Sequence, residues 1–217
     1  MRKCPFAALL LAPILSLAGC GGRPAPTTPH GRAMEYAPGK AETRQCYADL
    51  QRIGVAFTPL PDRNRGHSCS TIGTVRLDEI GVPVANLGAM RCGLAEKFTR
   101  WVRNAVAPAA YQMLGSQLVK VETYGTYACR DTVGTATARL SGHAIANAVD
   151  VAAFDLADGR RISVLGDYHS SDPQVRAFME AIHASACKRF GTVLSPDYNS
   201  AHRNHLHLED DHANFCR

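Results

Sequence analysis

The chain has 217 residues, of which 46% are hydrophobic and 20% are charged, and its formal net charge is +5. This composition excludes a largely disordered protein, and the length predicts one ordinary globular domain with terminal extensions. Part of the weak positive charge comes from Arg2 and Lys3 at the N-terminus, and the remainder is too small to indicate a nucleic-acid partner. We therefore expect no nucleic-acid binding.

The N-terminus has the pattern of a bacterial signal peptide. A short basic stretch precedes an apolar run over residues 5–17, which is too short to span a membrane comfortably. The sequence Leu-Ala-Gly-Cys at residues 17–20 looks like a lipobox, and this resemblance implies cleavage before Cys20 and lipidation of that residue. An ordinary signal peptide that is cut at small residues is the alternative.

The segment after Cys20 predicts the location and the layout of the protein. Residues 20–41 are rich in Pro, Gly and Thr and lack hydrophobic periodicity, which is typical of a flexible tether. No Asp follows Cys20 directly, so we expect a lipid anchor on the periplasmic face of the cell envelope, in the outer membrane. The predicted layout is a signal peptide at 1–19, a lipidated tether at 20–41 and a folded domain at 42–217.

Hydrophobic periodicity predicts the elements of the folded domain in chain order. Apolar residues at three- and four-residue spacing indicate helices at 46–53, 89–114 and 173–190. Alternating and β-branched runs indicate strands at 55–57, 75–80, 118–124, 149–154, 161–165, 192–194 and 205–208. Pro108 is expected to kink or split the longest helix, in which Trp101 is a core residue, and loops are expected at 62–73 and 125–137. These elements predict an α+β fold in which a small, mostly antiparallel sheet carries a metal site and two long helices flank it.

The cysteines predict disulfides. Eight are present, and two of them lie in the signal peptide and the lipobox. The six that remain are Cys46, Cys69, Cys92, Cys129, Cys187 and Cys216. An even number in an exported domain favours up to three disulfides, and the lack of C-x-x-C spacing argues against a cysteine-ligated zinc. Fifteen pairings are open, among which Cys187–Cys216 would tie the last helix to the tail and Cys46–Cys69 would close the N-terminal loop.

Two groups of residues in the second half of the domain suggest a divalent-metal site. His143 and Asp150 lie seven residues apart, and His202, His205 and His207 form an H-x-x-H-x-H cluster near the C-terminus. Catalytic zinc is usually held by three protein ligands from His, Asp or Glu. On a strand, His205 and His207 point to the same face, because side chains alternate with a period of two. A His-Asn-His nuclease is a competing interpretation, but the helix that it requires does not follow here.

The first group resembles a known peptidase motif. Its spacing is S-x-H-x-x-A-x-A-x-D, formed by Ser141, His143, Ala146, Ala148 and Asp150. This pattern is similar to the S-x-H-x-x-G-x-A-x-D motif of the D-Ala-D-Ala metallopeptidases and differs from it at Ala146, where those enzymes have Gly. The same zinc superfamily includes lysostaphin-type endopeptidases, the penicillin-insensitive murein endopeptidase and the hedgehog signalling domain.

The second group and the rest of the domain extend this resemblance. The H-x-x-H-x-H cluster at residues 202–207 is similar to that of the penicillin-insensitive murein endopeptidase. The stretch from Cys46 to the C-terminus resembles the bacterial extensin-like C-terminal family, notably in the helix with Trp101, in segment 127–130 and in both groups. The name of that family records a likeness to a plant wall protein and does not indicate its chemistry.

The resemblance implies a role for each of the site residues. His143, Asp150 and His207 would ligate zinc, which lowers the pKa of a bound water toward neutrality and polarises the carbonyl of the substrate. His205 would lie beside that water as a general base, or stabilise the oxyanion when charged. His202 would assist it from the rim of the site.

Three further side chains are expected around the metal. Arg130 is a candidate for binding a substrate carboxylate, because a guanidinium can grip one through two hydrogen bonds, although a solvated loop Arg is equally consistent with its position. Ser141 would cap or orient His143. A ligating His also needs an acceptor for its other ring nitrogen, and Asn204 is a candidate, together with Asn199 and Asp210.

These observations predict a zinc-dependent peptidoglycan peptidase of the endopeptidase or D,D-carboxypeptidase type. Its partners would be the peptide stems of peptidoglycan and, through the lipid on Cys20, the membrane, and we expect a monomer. The alternative is a non-catalytic envelope protein that binds peptidoglycan or zinc on a degenerate peptidase fold, which the departure at Ala146 would favour.

Overall fold

The computed structural model describes residues 38–132 and 139–217. The predicted signal peptide, the lipobox at Cys20 and nearly all of the predicted tether lie outside the described residues, as does part of the loop predicted at 125–137. Within the described residues, none of the helices has the length and apolar character needed to cross a membrane.

The described part of the chain contains helical segments of three kinds. The described residues form five α-helices: α1 (Lys40–Arg52), α2 (Cys92–Trp101), α3 (Ala107–Leu114), α4 (Val164–Asp167) and α5 (Pro173–Cys187). A π-helical segment (Val102–Val106) joins α2 to α3, and two short 3-10 helices span Gly142–Ile145 and Ser200–His202. Helix α1 begins earlier than the helix predicted at 46–53, and α5 ends before residue 190.

The strands form three sheets within the described part of the chain. They are β1 (Ala56–Pro59), β2 (Arg63–Asn64), β3 (Ser70–Thr71), β4 (Thr74–Glu79), β5 (Val84–Ala85), β6 (Met90–Arg91), β7 (Leu118–Gly125), β8 (Ala148–Leu156), β9 (Arg161–Ser163), β10 (Thr192–Leu194), β11 (Leu206–Glu209) and β12 (Phe215–Cys216). A three-stranded sheet has the order β1-β4-β6, and β2 pairs with β3 in a small hairpin inside the predicted 62–73 loop. The seven-stranded main sheet has the order β12-β10-β11-β8-β7-β5, with β9 paired to β8.

Strand β8 is the axis of the main sheet and positions the site. One edge pairs with β7, and the other pairs with β11 along the first half of β8 and with β9 along the second half. Strands β8 and β9 form an antiparallel hairpin, and both strands were predicted from the sequence, at 149–154 and 161–165. All pairings in this sheet are antiparallel except β5–β7 and β10–β12, which agrees with the mostly antiparallel sheet that was expected.

The predicted pair of long helices is only partly right. Helix α5 is a single helix of 15 residues, whose start is fixed by Pro173 in its first turn and by Asp172, which accepts hydrogen bonds from the first backbone N–H groups. The helix predicted at 89–114 is divided at the π-helical segment just before Pro108. Proline has no N–H for the carbonyl one turn earlier and its ring collides with that carbonyl, so a wider turn accommodates it.

The core lies between the main sheet and helices α2, α3 and α5. Trp101 is fully buried, as predicted, and its ring packs against Phe98, Phe154 and Phe190. Its indole N–H donates to the carbonyl of Ile182 on α5, 3.1 Å away, so the buried polar atom of the ring is satisfied. These contacts attach helices α2 and α5 to strand β8.

Three disulfides brace the domain, and one predicted pairing is wrong. Cys187–Cys216 ties α5 to β12, as suggested from the sequence. Cys46 pairs with Cys92 and not with Cys69, because α1 packs against the start of α2. Cys69 instead pairs with Cys129, which joins the β2–β3 hairpin to the loop after β7. The fold is therefore α+β, with antiparallel sheets and three disulfides as predicted.

Candidate metal centre

Three of the predicted ligands come from three different elements. His143 lies on the 3-10 helix Gly142–Ile145, Asp150 on β8 and His207 on β11. Ser141 caps that 3-10 helix, since its hydroxyl accepts a hydrogen bond from the backbone N–H of His143 at 3.3 Å. Register places His207 directly opposite Asp150 in the antiparallel pair, where side chains on one face approach closely.

The donor atoms of these three side chains form a nearly equilateral triangle. Asp150 Oδ1 lies 2.9 Å from His207 Nδ1 and 3.1 Å from His143 Nε2, and the two ring nitrogens are 3.2 Å apart. Ligand atoms around a tetrahedral zinc are separated by about 3.3 Å when the bonds are about 2.0–2.1 Å long. The donor set and its spacing therefore fit a zinc ion, with all three side chains buried.

The ring nitrogens that face away from the triangle are also held. His143 Nδ1 lies 3.3 Å from the carbonyl of Thr126, and His207 Nε2 lies 3.3 Å from Glu209 Oε2. Acceptors at these positions fix the tautomer and the ring orientation of a ligating His and raise its basicity. Both histidines are therefore oriented before any ion binds.

Ala146 adopts a backbone conformation that usually favours Gly. Its φ is 54° and its ψ is 31°, in the left-handed region, where it ends the 3-10 helix that carries His143. This region favours Gly, because a Cβ approaches the following carbonyl. The carbonyl of Ala146 accepts a hydrogen bond of 2.7 Å from the N–H of Arg91, so the turn is anchored to β6. Ala146 thus holds a left-handed turn at the end of the segment that carries His143.

His205 and His202 lie beside the triangle. His205 Nε2 is 3.5 Å from Asp150 Oδ1, and the rings of His202 and His205 are 5.1 Å apart. Burial lowers the pKa of His205. Burial, followed by the neighbouring His205 and His207, lowers the pKa of His202 to about 4. Both imidazoles are therefore neutral near pH 7 and able to accept a proton.

Opposing effects set the charge of the triangle itself. Burial raises the pKa of the Asp150 carboxyl, but hydrogen bonds and charge interactions with His143 and His207 hold it well below its usual range. Burial lowers the pKa of His207, whereas Asp150 and Glu209 raise it to about 9. These shifts favour a carboxylate at Asp150 beside a protonated imidazole at His207, and a metal ion bound here would have to displace that proton.

Arg130 lies at the rim of this cluster. A guanidinium nitrogen is 3.9 Å from Asp150 Oδ2, and the side chain is 41% exposed. Its backbone carbonyl accepts a hydrogen bond of 3.2 Å from the N–H of Ser141, which fixes its loop against the motif. The side chain is thus placed to contact both solvent and a ligand at the metal centre.

Sequence reasoning assigned some of the orienting residues to the wrong partners. Asn204 holds His205, at 2.9 Å from its Nδ1, and Asn199 holds His202 at 2.7 Å, so neither contacts a ligand of the triangle. Asp210 pairs with Lys97. The orienting groups that the sequence analysis missed are Glu209 and the Thr126 carbonyl. Glu209 follows His207 by two residues on a strand, and this period was a signal that could have found it.

A second group of metal-binding residue types lies close together elsewhere. His183, Cys187 and Cys216 have their donor atoms within 4.8 Å of one another. Cys187 and Cys216 are joined as a disulfide, and His183 Nε2 lies 3.7 Å from each sulfur. A metal ion would need these cysteines as thiolates, so this group is not a metal site while the disulfide is intact.

The comparison with protein families identifies the domain. Residues 44–217 match the family described as Extensin-like protein C-terminus. The chain belongs to this family. The match covers the triangle, His202, His205 and Arg130, so the whole candidate metal centre lies inside the family domain. No curated protein and no solved structure matches the chain.

Proposed function

We propose that this extensin-like protein is a zinc-dependent peptidoglycan peptidase, of the endopeptidase or D,D-carboxypeptidase type. The observation that carries the proposal is the buried triangle of His143 Nε2, Asp150 Oδ1 and His207 Nδ1, with edges of 2.9–3.2 Å. Two imidazoles and one carboxylate are a donor set used by catalytic zinc, which keeps one position open for water. The similarity of the motif to that of the D-Ala-D-Ala metallopeptidases supports the same conclusion.

In this proposal the three ligands hold zinc, and bound zinc supplies an activated water and a polarised carbonyl. His205 is the general base, because its Nε2 faces the triangle and its pKa is lowered by burial. Asn204 Oδ1 accepts from His205 Nδ1 at 2.9 Å, which leaves Nε2 free to take a proton. His202, 5.1 Å away between ring centroids, packs against His205 and limits its rotation.

Substrate binding is assigned to Arg130 at the rim. Its partly exposed guanidinium can form two hydrogen bonds with a carboxylate of a peptide stem, while its distance of 3.9 Å from Asp150 Oδ2 keeps it beside the reacting bond. The peptide stems of peptidoglycan carry such carboxylates. We further propose that lipid on Cys20 holds the protein at the cell envelope, in the outer membrane, where this polymer lies within reach of the tether.

Metal content tests the proposal first. We expect about one zinc per molecule of the purified full chain and its loss in His207→Ala, with His212→Ala as the matched control because His212 is exposed and outside the triangle. A chain that stays without metal when zinc is added, or a His207→Ala variant that keeps it, would contradict the proposed site.

Digestion of isolated muropeptides then tests catalysis. The wild-type chain should release peptide or a terminal D-amino acid, and His205→Ala should keep its zinc while losing a factor of roughly 10²–10⁴ in kcat, the usual contribution of a general base. A zinc-loaded chain that binds muropeptides and cleaves none would instead identify the non-catalytic binding protein as the correct alternative.

A further inference from the structure

A cleft lies next to the metal centre, and none of the roles above uses it. It has a volume of about 550 Å³ and runs between the β2–β3 hairpin on one side and residues 86–89 on the other, with residues 125–127 as its floor. This volume lies within the range of about 300–1,000 Å³ that is usual for ligand sites. We call it the arginine cleft, after Arg63 and Arg65 in its wall.

The charge of the arginine cleft is unbalanced. Arg63 and Arg65 are both exposed, and neither forms an ion pair with a described residue. No acidic side chain is present among the described residues that line the cleft. Two guanidinium groups without a carboxylate partner favour an anionic ligand, and their planar geometry suits carboxylates.

The two arginines are held in place by their hairpin. The disulfide Cys69–Cys129 joins this hairpin to the loop of Tyr127, and the guanidinium of Arg65 lies 5.6 Å from the centroid of the Tyr127 ring. The backbone N–H of Arg65 donates to the carbonyl of Cys69 at 2.9 Å. The backbone of the hairpin and the side chain of Arg65 are therefore restrained before a ligand binds, which favours binding.

The cleft and the candidate metal centre share one residue and are neighbours in the sheet. Thr126 lines the cleft and its carbonyl holds His143 Nδ1 at 3.3 Å, while its hydroxyl accepts from the N–H of Gly88 at 3.1 Å on the opposite wall. Gly125, also in the floor, is opposite Asp150 in the sheet. Paired strands lie about 4.8 Å apart, so residues that line the cleft and residues of the candidate metal centre are direct neighbours in the sheet.

We propose that the arginine cleft binds the carboxylates of an acidic peptide whose scissile bond lies at the metal centre, so that Arg63 and Arg65 select carboxylate-bearing stems over amidated ones. This inference rests on the proposed peptidase function for the identity of the peptide. It assigns to the cleft a specificity role distinct from that of Arg130, which lies at the rim of the metal centre itself.

Binding of two synthetic stem peptides to the full chain tests the proposal by calorimetry. One peptide carries free carboxylates, and the other is the same peptide with those groups amidated. The wild type should bind the free-carboxylate peptide more tightly. The double variant Arg63→Gln/Arg65→Gln should weaken that binding by about tenfold or more and remove the preference, as expected for the loss of charge-assisted hydrogen bonds. Arg44→Gln on α1, an exposed arginine outside the cleft, is the matched control and should bind as the wild type does.

Two further measurements separate the possible failures. The double variant Arg63→Lys/Arg65→Lys should recover part of the affinity, and an unchanged unfolding midpoint excludes misfolding as the cause of any loss. If the Gln variant binds as tightly as the wild type, or the wild type does not distinguish the two peptides, the arginine cleft proposal is wrong even if muropeptides are cleaved. If arginine-dependent binding is found without any cleavage, the peptidase proposal fails, and the binding of peptide carboxylates by the arginine cleft stands without a scissile bond at the metal centre.

Discussion

The carboxylate of Glu209 fills the space that a side chain at Gly142 would occupy. A carbon added at Gly142 would come within 2.6 Å of Glu209 Oε2 and closer still to the rest of that carboxylate. Glu209 Oε2 is also the atom that lies 3.3 Å from His207 Nε2. The missing side chain at 142 and the orientation of His207 are therefore coupled through one carboxylate.

This coupling predicts that Gly142→Ala weakens zinc binding although residue 142 contacts no metal. The new methyl group displaces Glu209, His207 loses its acceptor, and the dissociation constant for zinc should rise by roughly 10–100-fold, as for other groups that orient a ligand. Competition with a zinc chelator measures it.

Substitution of Glu209 tests whether this carboxylate carries the effect of Gly142→Ala. Glu209→Ala should raise the same dissociation constant, and adding Gly142→Ala to it should cause little further loss, because the displaced group is already absent. Gly39→Ala is the control, since a carbon added there meets nothing within 4 Å. Additive effects of the two substitutions would contradict the coupling.

Because the backbone at Ala146 is strained, replacing this residue by Gly should cost little free energy of unfolding. Ala146→Gly relieves a left-handed residue, worth about 1–2 kcal/mol, and this offsets the loss of a buried methyl group, worth about 1 kcal/mol. Its free energy of unfolding should change by less than about 1 kcal/mol. Ala153→Gly, at an equally buried position in β8, has no strain to relieve and should be clearly more destabilising in urea unfolding. Equal losses at both positions would show that Ala146 is not strained.

The pH dependence of the free energy of unfolding at acidic pH should depend on Glu122. Hydrogen bonds from Arg161 and Lys120 lower its pKa from 4.5 to about 2. The carboxylate therefore stabilises the folded state above the unfolded pKa, and this contribution disappears as the pH falls from about 4.5 to about 2. Glu122→Gln should lower stability at pH 7 by about 1 kcal/mol or less, as usual for a solvent-accessible ion pair. The difference should vanish near pH 2, and Glu79→Gln, which breaks no ion pair among described residues, should show no such dependence.

Removal of single disulfides should separate stability from binding. Replacing Cys69 and Cys129 by Ala removes a link between residues 60 positions apart and should cost about 4 kcal/mol on the chain-entropy model. It should also weaken peptide binding, because the hairpin with Arg63 and Arg65 is released. The same change at Cys187 and Cys216 should cost a similar amount in urea unfolding and leave peptide binding intact.

Arg130 should act on substrate affinity more than on turnover. Arg130→Gln removes the two hydrogen bonds to a substrate carboxylate and should raise KM for a muropeptide by roughly 10–100-fold, with zinc content unchanged. Arg130→Lys keeps the charge and should recover only part of the loss. A fall in kcat with KM unchanged would instead indicate that Arg130 acts on the reacting groups.

The sequence predicted the elements whose pattern is local. Strands β4 and β7 and helix α5 have periodic runs, β8 is a largely apolar run, and all four lie close to their predicted positions. Strands β5, β6 and β12 have two residues each, too few for any period, and they exist because a neighbouring strand pairs with them. The Cys46–Cys92 pairing likewise follows from how α1 packs, which composition does not reveal.

The candidate site could also be predicted only in part from the sequence. Side-chain type and spacing suggested a metal site, the resemblance to a peptidase motif singled out His143, Asp150 and His207, and the fold brings the donor atoms of these three residues together. The carbonyl of Thr126 was not, since every residue has one and only the fold places this one against His143. The arginine cleft was missed for a similar reason, because Arg63 and Gly125 are far apart in sequence and meet only through the disulfide and the sheet.

The order of the strands also determines when the metal centre can form. Asp150 and His207 are separated by 57 residues, and β11 can pair with β8 only after the chain has been made as far as residue 209. A chain that is still emerging from the ribosome and ends between residues 150 and 207 has His143 and Asp150 but lacks the third donor. Any hydrolytic activity of this protein would therefore begin only after β11 has been synthesised and has paired with β8.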